Sequence, residues 1–193
     1  QGDVRMVHRA NDRAVIDLGS GDVADLAGAL DRNVMPGAPA YPGALPQVTA
    51  SGEVLFAIRD RGATHLYGVP LTGGEPRLVH GGTDEVVSGL SVVGDRAAIA
   101  LSTPTSFGEI VLLDVAAGTA SVLTAHGAAP HDAELYVRES REFTISDGTT
   151  VQAWIVRDPA VDGPTPLLVD VHGGPHNAWN GAVDEMHVFH QEL

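Results

Sequence analysis

Residues 167–179 read Leu167-Leu168-Val169-Asp170-Val171-His172-Gly173-Gly174-Pro175-His176-Asn177-Ala178-Trp179. An apolar run reaches Val171 and breaks at a glycine pair followed by proline, which together end any regular structure. A short run that is apolar nearly throughout is the pattern of a strand covered on both faces in an α/β sheet. The segment therefore predicts a buried strand that delivers a glycine loop to one end of a sheet. Beyond the loop, Val183, Met186, Phe189 and Leu193 recur at spacings of 3, 3 and 4, which predicts one face of a helix.

Upstream of this unit the pattern differs. Pairing Asp147-Gly148 with the alternating residues Phe143/Ile145 and Val151/Ala153/Ile155 predicts a hairpin across 141–156. Earlier still, short β-type runs and turns recur. Val54–Ile58, His65–Val69 and Arg77–Val79 are echoed by Arg96–Leu101, Glu109–Asp114 and Ser121–Leu123. Matching Leu55 to Ala98, Tyr67 to Val111 and Gly74 to Gly118 gives offsets of 43, 44 and 44. A period of about 40–45 residues with several short strands is the signature of a propeller blade. A degenerate third copy begins at Arg13–Leu18 and runs into the loop-rich Pro36–Pro42. An antiparallel sandwich with chance spacing is the competing fold.

The expected architecture is mainly β with a partial α/β part. Residues 1–135 form about two to three blades, and 136–193 open a second domain, with the junction near 130–141. Two or three blades do not close a ring of the usual 4–8. The chain lacks an initiator Met, so the true start is expected upstream.

Composition narrows the function. With 25 acidic residues against 11 basic ones, all arginine, the net charge of −14 argues against nucleic acid and anionic membrane surfaces as partners. Hydrophobic residues at 44% support a packed core. The absence of cysteine excludes disulfides and thiolate catalysis. No apolar run approaches the about 18 residues of a membrane span. No apolar segment follows the N-terminus as a signal peptide requires. Localisation stays open, with the cytoplasm favoured.

The segment from Glu142 to Trp179 resembles the opening of the catalytic domain in the prolyl oligopeptidase family of serine peptidases, most of all its acylaminoacyl-peptidase branch. The matching residues are Phe143–Thr149, Gln152-Ala153-Trp154 and Pro166–His176. The resemblance implies a β-propeller placed before an α/β-hydrolase domain. The repeats already suggest that order. It implies that Gly174 donates its backbone N–H to an oxyanion hole, that Gly173 permits the loop, and that His172 and Pro175 shape it. Preorganised donors of this type contribute about 3–4 kcal/mol in the transition state. The implied reaction is hydrolysis of short, including N-acylated, peptides through an acyl-enzyme.

No Gly-x-Ser-x-Gly occurs in these 193 residues. Gly89-Leu90-Ser91-Val92-Val93 lacks the second glycine and lies among the repeats, so Ser91 is not the expected nucleophile. The nucleophile, acid and base are expected beyond Leu193, and the chain by itself is expected to be inactive. The alternative is a non-catalytic β-repeat interaction module. The exposed edge of a partial sheet predicts self-association, or association with the rest of a larger protein.

Two weaker signals remain. Gly19-Ser20-Gly21, with Ala24 at the third glycine position, approaches a nucleotide or S-adenosylmethionine loop, but turn-rich β-repeats follow it and a hairpin turn is expected. His172 and His176 are separated by Gly-Gly-Pro. His187 and His190 fit one helix face, but no acidic partner is evident at ligand spacing on both sides of them, so no metal is expected. No cofactor is implied. Trp154 and Trp179 read as packing residues.

Overall fold

The computed structural model describes residues 14–16, 19–26, 28–30, 32, 34, 44–129, 135–173 and 178–191. Within them, strands dominate. Two antiparallel meanders of four strands each form the body. The first contains β3 (Gln47–Val48), β4 (Glu53–Asp60), β5 (Ala63–Pro70) and β6 (Arg77–His80). The second contains β7 (Val86–Val93), β8 (Arg96–Thr103), β9 (Ser106–Asp114) and β10 (Thr119–Val122). Corresponding strands start at 53 and 96, at 63 and 106, and at 77 and 119, which is the spacing expected from the repeat. One parallel bridge, Thr64 to Val86, joins the meanders along the sheet.

Side-chain alternation sets the two cores. On β4, Leu55 and Ala57 face one way while Val54, Phe56 and Ile58 face the other, as a period of two requires. The first pair joins Leu66, Val87, Leu90, Ala97, Ile99, Leu101, Val111 and Leu113 in the core between the meanders. The second set packs with Val69, Leu26 and Val34. Polar ties reinforce the stacking. Gln47 donates through Nε2 to the Leu90 carbonyl at 2.7 Å and accepts from the Val92 N–H at 2.9 Å. Arg77 grips Glu53 with two N–H groups and reaches the Val115 carbonyl at 3.1 Å.

Ahead of this body, β1 (Ala14–Ile16) and β2 (Val23–Asp25) form a separate antiparallel hairpin. Gly19–Gly21 is its turn, with Gly21 at φ 80°, so the glycines make a chain reversal and not a loop between strand and helix. The Pro36–Pro42 loop lies outside the described residues. After the body, β11 (Glu139–Thr144) pairs with β12 (Thr150–Ile155), Phe143 opposite Val151, around the expected Asp147-Gly148 turn.

Two expectations are corrected here. Residues 167–171 form no strand, and Leu167 and Val171 are 82% and 77% exposed. A strand needs neighbours for its N–H and C=O groups, and no described segment lies beside this one as a ladder partner. The helix expected from Val183 onward is reduced to a 3-10 turn at Val188–Gln191. Val183 is buried but Met186 is 70% exposed, so they share no buried face. The Asp184 carboxylate takes the backbone N–H groups of Met186 and His187, both at 3.0 Å, as an N-cap residue does, so the helical turn begins after Asp184 and not at Val183. Leu193 lies outside the described residues.

Candidate functional site

The glycine loop is only partly described. Gly174, Pro175 and His176 lie outside the described residues, so the proposed oxyanion N–H has no geometry here. His172 is half-buried, and its Nδ1 lies 3.2 Å from the carbonyl oxygen of its neighbour Gly173. Gly173 is exposed, and a Cβ built on it meets open space. Ser91 sits exposed in mid-strand on β7, opposite Ala98, far from any strand-to-helix elbow.

Beyond the loop, residues 178–191 fold back and dock against the ends of both meanders. The N–H of Gly181 donates to the Gly62 carbonyl at 3.0 Å, and that of Val183 donates to the Thr103 carbonyl at 3.0 Å. A buried guanidinium organises this segment. Arg138, 6% exposed, donates through Nη1 to the carbonyls of Ala182 at 2.8 Å and Asn180 at 3.2 Å, and its Nη2 lies 3.6 Å from Asp184 Oδ2. Burial lowers the Arg138 pKa, and the Asp184 carboxylate partly offsets that. At the end of the segment, the Gln191 side-chain amide exchanges two hydrogen bonds with the Tyr136 backbone.

Each histidine of this segment is paired with a carboxylate. His187 Nδ1 lies 2.8 Å from Asp184 Oδ1, and His190 Nε2 lies 2.9 Å from Asp170 Oδ2. The signal for the first was the i, i+3 spacing of Asp184 and His187. The second joins positions 20 apart and had none. The carboxylates serve separate imidazoles, and among the described residues no group of three or more His, Asp or Glu side chains converges on a metal position. Asp184 Oδ1 also accepts two backbone N–H groups, so the Asp184–His187 pair acts as a turn cap. The Trp179 ring meets His187 edge-on at 3.9 Å between centroids, consistent with a packing role.

A cavity of about 230 Å³ lies where the two parts meet. Arg59, Arg61 and Thr64 line it from the β4–β5 turn region, and Ala178, Trp179 and Asn180 from the docked segment. Another, of about 300 Å³, lies beside β9 and is lined by Ser88, Ser102, Glu109, Thr124 and His126. Glu109 there accepts hydrogen bonds from the Thr124 hydroxyl, the Gly127 N–H at 2.7 Å and the His126 N–H at 3.1 Å. Those bonds, Thr124 first, hold its pKa below the usual carboxylate value. All three of these hydrogen bonds come from the 124–127 loop, so this group fastens a loop.

The described chain is thus a pair of four-strand repeats with a hairpin and the segment 178–191 placed at their ends. Among solved structures, the chain matches puromycin hydrolase with a TM-score of 0.67 and 24% identity over 92% of its length. It matches the acylaminoacyl peptidase of Pyrococcus horikoshii with a TM-score of 0.65 and 23% identity over 89%. The AtxE2 isopeptidase follows at a TM-score of 0.55 and 18% identity over 77%. The chain spans 28%, 25% and 22% of these proteins. No protein-family model matches the chain, and no curated protein matches it in sequence. The likeness is one of fold.

Proposed function

We propose that the chain is the last blades of a β-propeller joined to the opening of an α/β-hydrolase domain in a serine peptidase of the prolyl oligopeptidase type. The boundary falls at residues 130–141. One observation carries the reading. Two consecutive four-strand repeats followed by a hairpin make up a chain that matches puromycin hydrolase in fold over 92% of its length, with a TM-score of 0.67. In the whole protein, a serine hydroxyl attacks the carbonyl of a short peptide, N-acylated ones included. The amine leaves, and water releases the acid from the acyl-enzyme. Gly174 supplies one oxyanion N–H, Gly173 gives the loop its freedom, and His172 and Pro175 shape it. The propeller restricts entry to small peptides.

The exposed run at 167–171 supports this reading, because a central strand of a larger sheet is apolar on both faces. It equally supports an interaction module, the second reading. In either case the run makes the 193-residue chain self-associate or bind the remainder of its sheet. Light scattering that shows a 20.0 kDa monomer at high concentration counts against this.

The deciding test is the intact mass of the protein in its source cells, combined with labelling by a fluorophosphonate probe. A longer species that carries these residues and takes the label on a Gly-x-Ser-x-Gly serine supports the peptidase. A natural chain that ends at Leu193 and takes no label leaves the interaction module.

A further inference from the structure

Among the described residues, the non-glycine residues with left-handed backbone are Arg61, at φ 47°, and Asp84, at φ 58°. Both lie where the hairpin β11–β12 and the segment 178–184 dock on the meanders. Such conformations persist only where the surroundings enforce them. Arg61 and Gly62, at φ 47° and 78°, are the central pair of the two-residue turn between Asp60 and Ala63. A turn with both central residues left-handed favours Asn, Asp or Gly at its first position, and arginine there is unusual. It presents two successive carbonyls to the docked segments. Arg61 accepts from Gln152 Nε2 at 3.3 Å, and Gly62 accepts from the Gly181 N–H at 3.0 Å.

Asp84 completes the arrangement. Its Oδ1 accepts from the Trp154 indole N–H at 3.3 Å. The same carboxylate lies against Gly181, where a Cβ would overlap it. The Trp154 ring lies against Gly62, where a Cβ would overlap the ring. Each docking partner therefore depends on another. The glycines admit the ring and the carboxylate, and the carboxylate fixes the ring.

We propose that Asp84, with the Arg61-Gly62 turn, is a socket that positions the 178–184 segment, and through it the His172-Gly173 loop, against the meander ends. Asp84 is a positioning residue, acting through Trp154 and Gly181. The part concerning the loop rests on the peptidase reading; the socket itself does not.

The test uses the 193-residue chain and amide hydrogen exchange. Asp84→Gly keeps the left-handed backbone and removes the acceptor. Asp84→Asn keeps a side-chain acceptor. Asp84→Gly is expected to reduce protection of the Gly181 and Val183 amides at least tenfold while the β4, β5, β8 and β9 amides keep theirs, and Asp84→Asn is expected to retain most of it. Unchanged protection in Asp84→Gly, or equal loss in both variants, overturns the socket. In the longer protein, hydrolysis of a peptide p-nitroanilide should show a tenfold lower kcat in Asp84→Gly with KM changed less than threefold, restored in Asp84→Asn. An unchanged kcat overturns the link to the loop. A longer protein without hydrolytic activity overturns the peptidase reading and with it that link, while the exchange result still decides the socket.

Discussion

Replacing Arg138 by alanine tests the account of the docked segment most directly. The guanidinium is 6% exposed, as is its partner Asp184. Its removal strands the carbonyls of Asn180 and Ala182, and leaves the Asp184 carboxylate without its cation. Hydrogen bonds to charged groups contribute about 1.5–3 kcal/mol each. Removing one partner of a buried ion pair costs about 3–5 kcal/mol, the orphaned charge included. These overlap, because the same desolvated groups enter both, so about 3–5 kcal/mol is the expected total. The segment can also open locally while the meanders persist, which caps the loss seen by any global probe. The measurement is urea unfolding followed by Trp179 emission in a Trp154→Phe background, beside far-ultraviolet circular dichroism for the strands. With a urea slope of about 1–3 kcal/mol per molar, a loss of about 3–5 kcal/mol lowers the Trp179 midpoint by about 1–5 M. The strand signal should move less. Arg138→Ala/Asp184→Asn should recover part of the loss, because the uncompensated charge is gone. A fall below about 1 kcal/mol in Arg138→Ala, with no recovery in the double variant, refutes the role given to this pair.

Other outcomes follow from the same structure. Ile99→Ala, in the core between the meanders, should cost about 2–5 kcal/mol by denaturant unfolding, while exposed Val93→Ala should stay within about 0.5 kcal/mol. Gly148→Ala, at φ 88°, should destabilise by about 1 kcal/mol or more, and a neutral result would mean that the hairpin turn is not left-handed there. Glu109 has a folded-state pKa below its unfolded value, so its contribution is present above the unfolded pKa and is lost as pH falls through the folded one. Exchange at the His126 and Gly127 amides should accordingly lose protection on acidification, and Glu109→Gln should show the loss already at neutral pH and flatten that dependence. Gly173→Ala should leave stability of the 193-residue chain within about 0.5 kcal/mol, because a Cβ there meets open space.

The local pattern of the chain determined most of the body. A repeat of 43 to 44 residues with period-two alternation specifies strand, turn and strand again, since each turn and each pleat is a contact between near neighbours. Leu55 and Ala98, matched by spacing, do lie on equivalent strands, β4 and β8. The Asp147-Gly148 turn and the Gly19–Gly21 turn were legible for the same reason. The apolar runs at 167–171 and 183–193 were not, because whether such a run is a strand or a helix depends on what covers it. Residues 167–171 have no ladder partner among the described residues, and Asp184 caps the Met186 and His187 amides so that only a short 3-10 turn follows, at Val188–Gln191. Tertiary structure alone joined Arg138 to Asp184, Asp170 to His190, and Trp154 to Asp84 across 70 positions. Contacts of that separation leave no periodic trace.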